Sequence, residues 1–185
     1  MDQIKDLIKI KQQAKLLHSG DAIEAALKRL STRLTKDYAD KNPIFLVVMN
    51  GGLIFAGKLL TSLNFPLQID YCHVTRYQGE TNGAMAKWTA LPQLDVSGRD
   101  VIIVDDILDE GYTLVEIGKA CKKNKAKTVK TLVLIEKIHR RKAIPNLKAN
   151  YCELQCPDEY VFGFGMDYKH YWRNTNEIYI LNEST

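Results

Sequence analysis

The stretch Val101-Ile-Ile-Val-Asp-Asp-Ile-Leu-Asp-Glu-Gly-Tyr-Thr113 concentrates groups able to do chemistry. A short apolar run ends in two adjacent carboxylates, Asp105 and Asp106, and Asp109, Glu110, Gly111, Tyr112 and Thr113 follow. Ligands of open α/β sheets bind beyond the carboxyl ends of strands. A helix start offers amides without intrahelical acceptors and a dipole that favours phosphate. Gly111 permits close backbone approach, and Thr113 adds a hydroxyl donor. Four carboxylates between Asp105 and Glu110 would repel a bare phosphate. The pattern therefore suits a ligand that joins phosphate to hydroxyls: carboxylates accept from a sugar diol while amides hold the phosphate. An acidic turn that only caps a helix is the simpler alternative, but a cap does not need a doubled acid directly against a buried strand.

The elements that must position this turn can be read from periodicity. Ile44 to Met49 and Val101 to Val104 are continuous apolar runs, the pattern of strands buried on both faces. Leu67 to Val74 and Val129 to Ile135 read as further strands. Helical spacing covers residues 19 to 39, with Ile23, Leu27, Leu30, Leu34 and Tyr38 behind Ser19 and Asp21 as candidate caps. It recurs from Leu53 to Leu63 and from Thr113 to Asn124. Strands alternating with helices predict an α/β fold with a mostly parallel central sheet flanked by helices. A receiver domain also sets an acidic pair at a strand end, but early in its chain, whereas this pair lies mid-chain. Asn150 to Leu154, Tyr160 to Phe164 and Ile178 to Leu181 are short β-like pieces that predict edge strands or a small hood. From Tyr77 to Gly98 no strong pattern appears, and so long a loop suggests a mobile lid. A β-hairpin through Trp88 and Leu91 is the alternative.

Composition narrows the class. The chain has 185 residues, 45% hydrophobic and 26% charged, enough to bury a core without cross-links and inconsistent with disorder. A net charge of +4 is too weak to predict nucleic-acid binding without a concentrated patch. The run Lys119, Lys122, Lys123, Lys125, Lys127 and Lys130 reads as a solvated helix face. The longest apolar run is far short of a membrane span, and the start carries no signal-peptide pattern. Cys72, Cys121, Cys152 and Cys156 read as reduced, mostly buried thiols, so a cytoplasmic protein is expected. Cys152 and Cys156 lie four apart, but no second pair at ligand spacing accompanies them.

The segment Val101 to Thr113 resembles the phosphoribosyl diphosphate signature of type I phosphoribosyltransferases, and Asp109 resembles their hypoxanthine-guanine branch. The resemblance extends over nearly the whole chain. Phe45 to Leu60, with Met49-Asn50-Gly51-Gly52, is similar to the pyrophosphate loop, and Leu134-Ile-Glu-Lys137 to the purine-contacting strand end. Pro157 to Tyr168 is similar to the base-binding hood, and Arg173 stands where the family keeps a pyrophosphate-contacting arginine. A single domain over 1–185 is implied, with a core at about 40–140 and a hood from the N-terminal segment and about 145–185.

The resemblance implies transfer of a phosphoribosyl group from phosphoribosyl diphosphate to a 6-oxopurine, hypoxanthine or guanine, through an oxocarbenium-like transition state. Asp105 and Asp106 would bind the ribose hydroxyls, and the loop Asp109, Glu110, Gly111, Tyr112 and Thr113 the 5′-phosphate. Asn50, Gly51, Gly52 and Arg173 would meet the pyrophosphate, with a cis peptide bond expected before Asn50. Mg²⁺ is the implied cofactor, with Asp167 on a metal-bound water and Asp105 and Asp106 as further candidate ligands. Tyr160 would stack on the purine, Val161 would meet its Watson–Crick edge beside Asp167, and Lys137 would donate to O6. Asp109 would take or share the N7 proton, and Tyr77 would fold over the pyrophosphate. A homo-oligomer, dimer or tetramer, is implied. The sequence departs from the family at Asp105, where Glu is common, at Asn50, where Lys is common, and at Glu110 and Tyr112. Taken singly, Tyr160 could be a core aromatic and Lys137 a surface lysine. Competing functions are a phosphoribosyltransferase-like regulator, or the same chemistry on xanthine or uracil.

Overall fold

The structure is a computed structural model, and it describes residues 2–76 and 86–182. Five apolar residues give strand β2 (Ile44–Val48), buried along its whole length at the centre of a six-stranded sheet. Its neighbours are β3 (Gln68–Arg76) and β5 (Asp100–Leu108), both parallel to it. The sheet continues through β6 (Thr128–Lys137) to β7 (Leu154–Cys156), again in parallel, while β4 (Ala86–Ala90) closes the other edge against β3 in antiparallel.

Alternation along β2 divides the core. Phe45 and Val47 face helices α2 (Gly20–Tyr38) and α3 (Gly52–Leu60), whereas Ile44, Leu46 and Val48 share a cluster with α4 (Tyr112–Lys123). Both faces are thus covered, as parallel sheets require. Ser19 caps α2, its hydroxyl accepting from the Ala22 amide at 3.3 Å. Helix α1 (Asp2–Gln13) leads into β1 (Lys15–His18), a strand that the periodicity does not predict. β1 pairs antiparallel with β9 (Ile178–Ile180), which also pairs with β8 (Val161–Phe162), making a separate three-stranded sheet.

Two expectations need correction. β5 does not stop at Val104; it runs through both acids to Leu108 because β6 extends alongside, pairing Asp105 with Val133 and Leu108 with Glu136. On the β2 side the ladder ends at Val47 and Val104, and there the sheet opens. The segment from Tyr77 to Gly98 is also not patternless, since Ala86–Ala90 of its described part form β4, with Thr75 opposite Lys87 and Trp88 packed on the core. Beyond β4, the buried Asp70 carboxylate accepts from the Gln93 amide at 2.7 Å and the Leu94 amide at 2.8 Å. Tyr77 lies outside the described residues. Among the described residues no helix is long and apolar enough to cross a membrane.

Candidate active site

Where β5 outruns β2, a cavity of about 660 Å³ opens at the carboxyl ends of the strands. That size suits a drug-sized ligand. It brings together Asn50, Gly51, Asp105, Asp106, Asp109, Thr113, Lys137, Tyr160, Val161, Asp167 and Arg173, drawn from both sheets and the loops between them. A smaller cavity of about 360 Å³ adjoins it, sharing Asp109 and Thr113 and lined further by Glu110, Gly111, Tyr112 and Arg141. Gly52 lines neither. It is buried at the start of α3, where an added Cβ would lie 2.8 Å from the Val104 carbonyl oxygen.

The acidic pair is held by its own backbone. Asp105 accepts from the Asp106 amide at 3.0 Å, and Asp106 accepts from the Ile107 amide at 2.7 Å. Burial pushes the Asp105 carboxyl well above the usual carboxylate range, and the neighbouring Asp106 charge pushes it further. Burial raises Asp106 as well, against the hydrogen bonds it receives and the nearby Arg173. Two acids this close resist double ionisation, so hydroxyl donors or a cation would relieve them.

Arg173 knits the hood to the sheet. Its guanidinium lies 2.7 Å from Asp167 and 4.0 Å from Asp106, and donates to the Gly165 carbonyl. Asp167 accepts a second bond from the His170 amide at 2.7 Å, and its carbonyl accepts from the Tyr160 hydroxyl at 2.9 Å. The Tyr160 residue is 49% exposed, which removes the core-aromatic alternative. The Met49–Asn50 peptide bond is cis, as the resemblance implies.

Gly111 takes φ +86° at the start of α4, where an added Cβ would press on Leu108 at 2.7 Å. A glycine is therefore needed where the chain turns from β5 into the helix. Lys137 reaches across from β6 and donates to Asp109 at 2.8 Å with its side chain 12% exposed, so it is not a surface lysine. Burial alone would raise Asp109, but hydrogen bonds from Lys137 and His139 outweigh it and hold the carboxyl below its ordinary value.

Several site residues escape the sequence. His139 donates to Asp109 at 2.7 Å although it looks isolated in the chain, and Lys142 donates to the Leu108, Asp109 and Lys137 carbonyls at 3.2, 2.7 and 2.8 Å. His73, Thr75, Met166 and His170 also line the larger cavity. The available signal is the basic run His139-Arg-Arg-Lys142 placed just after a strand parallel to the acidic one.

A crevice at the carboxyl ends of a parallel sheet, lined by an acidic strand end, a helix start and a half-exposed aromatic, marks a class of protein. Residues 13–170 match the phosphoribosyl transferase domain family, and the chain belongs to it. Hypoxanthine-guanine phosphoribosyltransferase of Streptococcus pneumoniae (strain R6) is 36% identical over 171 residues, covering 91% of this chain and 93% of that protein. The protein of that name from Streptococcus pyogenes serotype M3 is 34% identical over the same length. The crystal structure of a hypoxanthine phosphoribosyltransferase from Staphylococcus aureus, 30% identical, superposes with a TM-score of 0.85 over 92% of each chain. The branch to which these relatives assign the chain is that of the hypoxanthine-guanine phosphoribosyltransferases.

Proposed function

We propose that this protein salvages purines by transferring the 5-phosphoribosyl group of phosphoribosyl diphosphate to hypoxanthine or guanine, releasing pyrophosphate. The observation that carries this reading is a pair of adjoining cavities sharing Asp109 and Thr113, lined by acids and the start of α4 for the sugar phosphate and by Tyr160 and Lys137 for the base. Asp105 and Asp106 accept from the ribose hydroxyls. The start of α4, with Gly111 and Thr113, cradles the 5′-phosphate. Asn50, Gly51 and Arg173 face the leaving pyrophosphate.

Tyr160 stacks on the purine, and the Val161 backbone meets its edge. Lys137 donates to O6, a carbonyl that adenine lacks. N9 attacks C1 as the C1–O bond to pyrophosphate breaks, and the proton on N7 passes to Asp109. An acid held below its ordinary value is ionised at neutral pH, the state that can accept a proton.

Magnesium fits the donor set. Among the described residues no three His, Cys, Asp or Glu side chains converge on one point, so the protein alone makes no cage. Mg²⁺ is commonly held by one or two carboxylates with substrate phosphates and waters. Asp167 already accepts two bonds and retains lone pairs for a metal-bound water, while Asp105 and Asp106 are the further candidates. When bound, the ion would neutralise charge developing on the pyrophosphate.

A cytoplasmic homo-oligomer, dimer or tetramer, acting on small molecules completes the reading. Four free thiols and the exposed apolar residues Ile4, Ile8, Ile69 and Tyr71 support it. The test mixes protein, Mg²⁺ and phosphoribosyl diphosphate with hypoxanthine, guanine, xanthine, uracil or adenine, and follows nucleotide formation. Product with hypoxanthine or guanine is expected; none with either would reject the proposal.

A further inference from the structure

The two carboxylate oxygens of Asp109 have different partners. Lys137 holds Oδ2 at 2.8 Å and His139 Nε2 holds Oδ1 at 2.7 Å. The His139 side chain is only 4% exposed, though it sits on the loop after β6. Its other ring nitrogen, Nδ1, accepts from the backbone amide of Arg141 at 3.0 Å. A nitrogen that accepts an amide proton carries a lone pair, so the neutral ring bears its proton on Nε2. The Arg141 amide therefore sets the tautomer, and His139 is the donor to Asp109. The Lys142 ammonium, tied to carbonyls of both strand ends, fixes the frame in which these side chains meet.

In the proposed reaction Lys137 has two tasks that compete. It holds Asp109 in the structure, yet it must reach O6 of the incoming base. If Lys137 were the sole support, Asp109 would lose its orientation at the moment it is needed.

We infer that His139 is a positioning residue that keeps Oδ1 of Asp109 anchored throughout, so that Lys137 can turn to the purine and Oδ2 becomes the oxygen that receives the N7 proton. This rests on the function proposed above. It divides one carboxylate into a structural and a chemical oxygen. Among the described residues the other side-chain bond to this carboxylate comes from the lysine that departs, so His139 alone keeps hold of it.

A bracing role for the 139–141 turn alone is the competing explanation, and two substitutions separate them. In His139→Asn the side-chain oxygen occupies the place of Nδ1 and still accepts from the Arg141 amide, but nothing reaches Asp109. In His139→Gln the side-chain amide extends to the place of Nε2 and can donate to Asp109. Hypoxanthine turnover is measured for wild type and both variants, together with melting temperature and the KM for phosphoribosyl diphosphate. The expected result is a kcat about 10- to 100-fold lower for His139→Asn, with the phosphoribosyl diphosphate KM within about twofold and the fold intact. His139→Gln should recover kcat to within about fivefold of wild type. A kcat for His139→Asn within about twofold of wild type, or a Gln variant as impaired as the Asn variant, would overturn the inference. Nitrogen NMR of the His139 ring gives a readout independent of turnover: an Nε2–H tautomer is expected, and an Nδ1–H tautomer overturns the assignment. Wild-type protein that converts neither 6-oxopurine would instead defeat the functional reading, and this one with it.

Discussion

Replacing Gly165 with alanine should damage both stability and turnover, because this residue is where the hood touches the catalytic sheet. Its φ is +107°, and an added Cβ would fall within the contact distance of the Gly51 carbonyl oxygen while lying 3.2 Å from Cβ of Asp106. An L-residue in such a conformation loses about 1–2 kcal/mol. Overpacking against backbone that cannot rotate away adds about 1–3 kcal/mol. The summed cost, about 2–5 kcal/mol, should lower the melting temperature by roughly 5–15 °C for a chain of this size. Relief of the clash should shift Gly51 relative to Asp106, so the loop and the acids proposed to hold the pyrophosphate and the ribose lose their spacing. A displacement near 1 Å costs about 100-fold in kcat/KM. Gly57→Ala is the control: nothing lies within 4 Å of its added Cβ, and it sits within α3. It should leave turnover unchanged and stabilise by about 0.5–1 kcal/mol. Thermal melting and initial rates with hypoxanthine provide the measurements. A Gly165→Ala protein that melts within about 1 °C of wild type with unchanged kcat/KM would refute the clamp and its arithmetic.

Other perturbations probe separate parts of the site. Asp105→Asn should abolish nucleotide formation yet raise the melting temperature at pH 8. The folded state pushes this carboxyl up, so it binds the proton more tightly than the unfolded chain; stability falls as pH rises through the folded value and stays lost above it. The difference between variant and wild type should therefore close as pH falls toward about 4, and a variant melting lower at pH 8 would contradict the burial argument. Lys142→Met removes three charge-assisted bonds and should cost about 2–4 kcal/mol in urea unfolding, with reduced turnover; an unchanged midpoint would show the ammonium to be idle. Asp70→Ala leaves the Gln93 and Leu94 amides without their acceptor, and should cost about 2–4 kcal/mol while speeding proteolysis after β4. Tyr160→Ala should raise the KM for hypoxanthine roughly tenfold or more with little change in melting, and an unaltered KM would remove the stacking role.

Much of the architecture was legible because it is written in local patterns. Strand β2 and the Val101–Val104 part of β5 are apolar without interruption, as burial on both faces demands, and α2 shows its buried stripe at helical spacing. β1 was not legible: its four residues, Lys15 to His18, show two exposed positions followed by two half-buried ones rather than alternation. Its pairing with Ile178 to Ile180 comes from the opposite end of the chain. β4 was half-legible, since Trp88 marks a packed position but the partner strand was needed to make a hairpin of it.

The turn proposed to hold the sugar phosphate is a consequence of residues adjacent in the chain: acids, a glycine and a helix start in thirteen consecutive positions, Val101 to Thr113. Their chemistry survives whatever surrounds them, so the sequence by itself determined that wall of the site. The cluster proposed to move the proton is a different matter. Asp109 meets Lys137 and His139 only because β5 and β6 run parallel with Leu108 opposite Glu136. Arg173 reaches Asp167 and comes within 4.0 Å of Asp106 only because the hood folds back over the sheet. Register and burial also decide charge, raising Asp105 and lowering Asp109 although both are the same amino acid. A side chain's type is local information, whereas the dielectric and the partners that set its protonation belong to the packed whole.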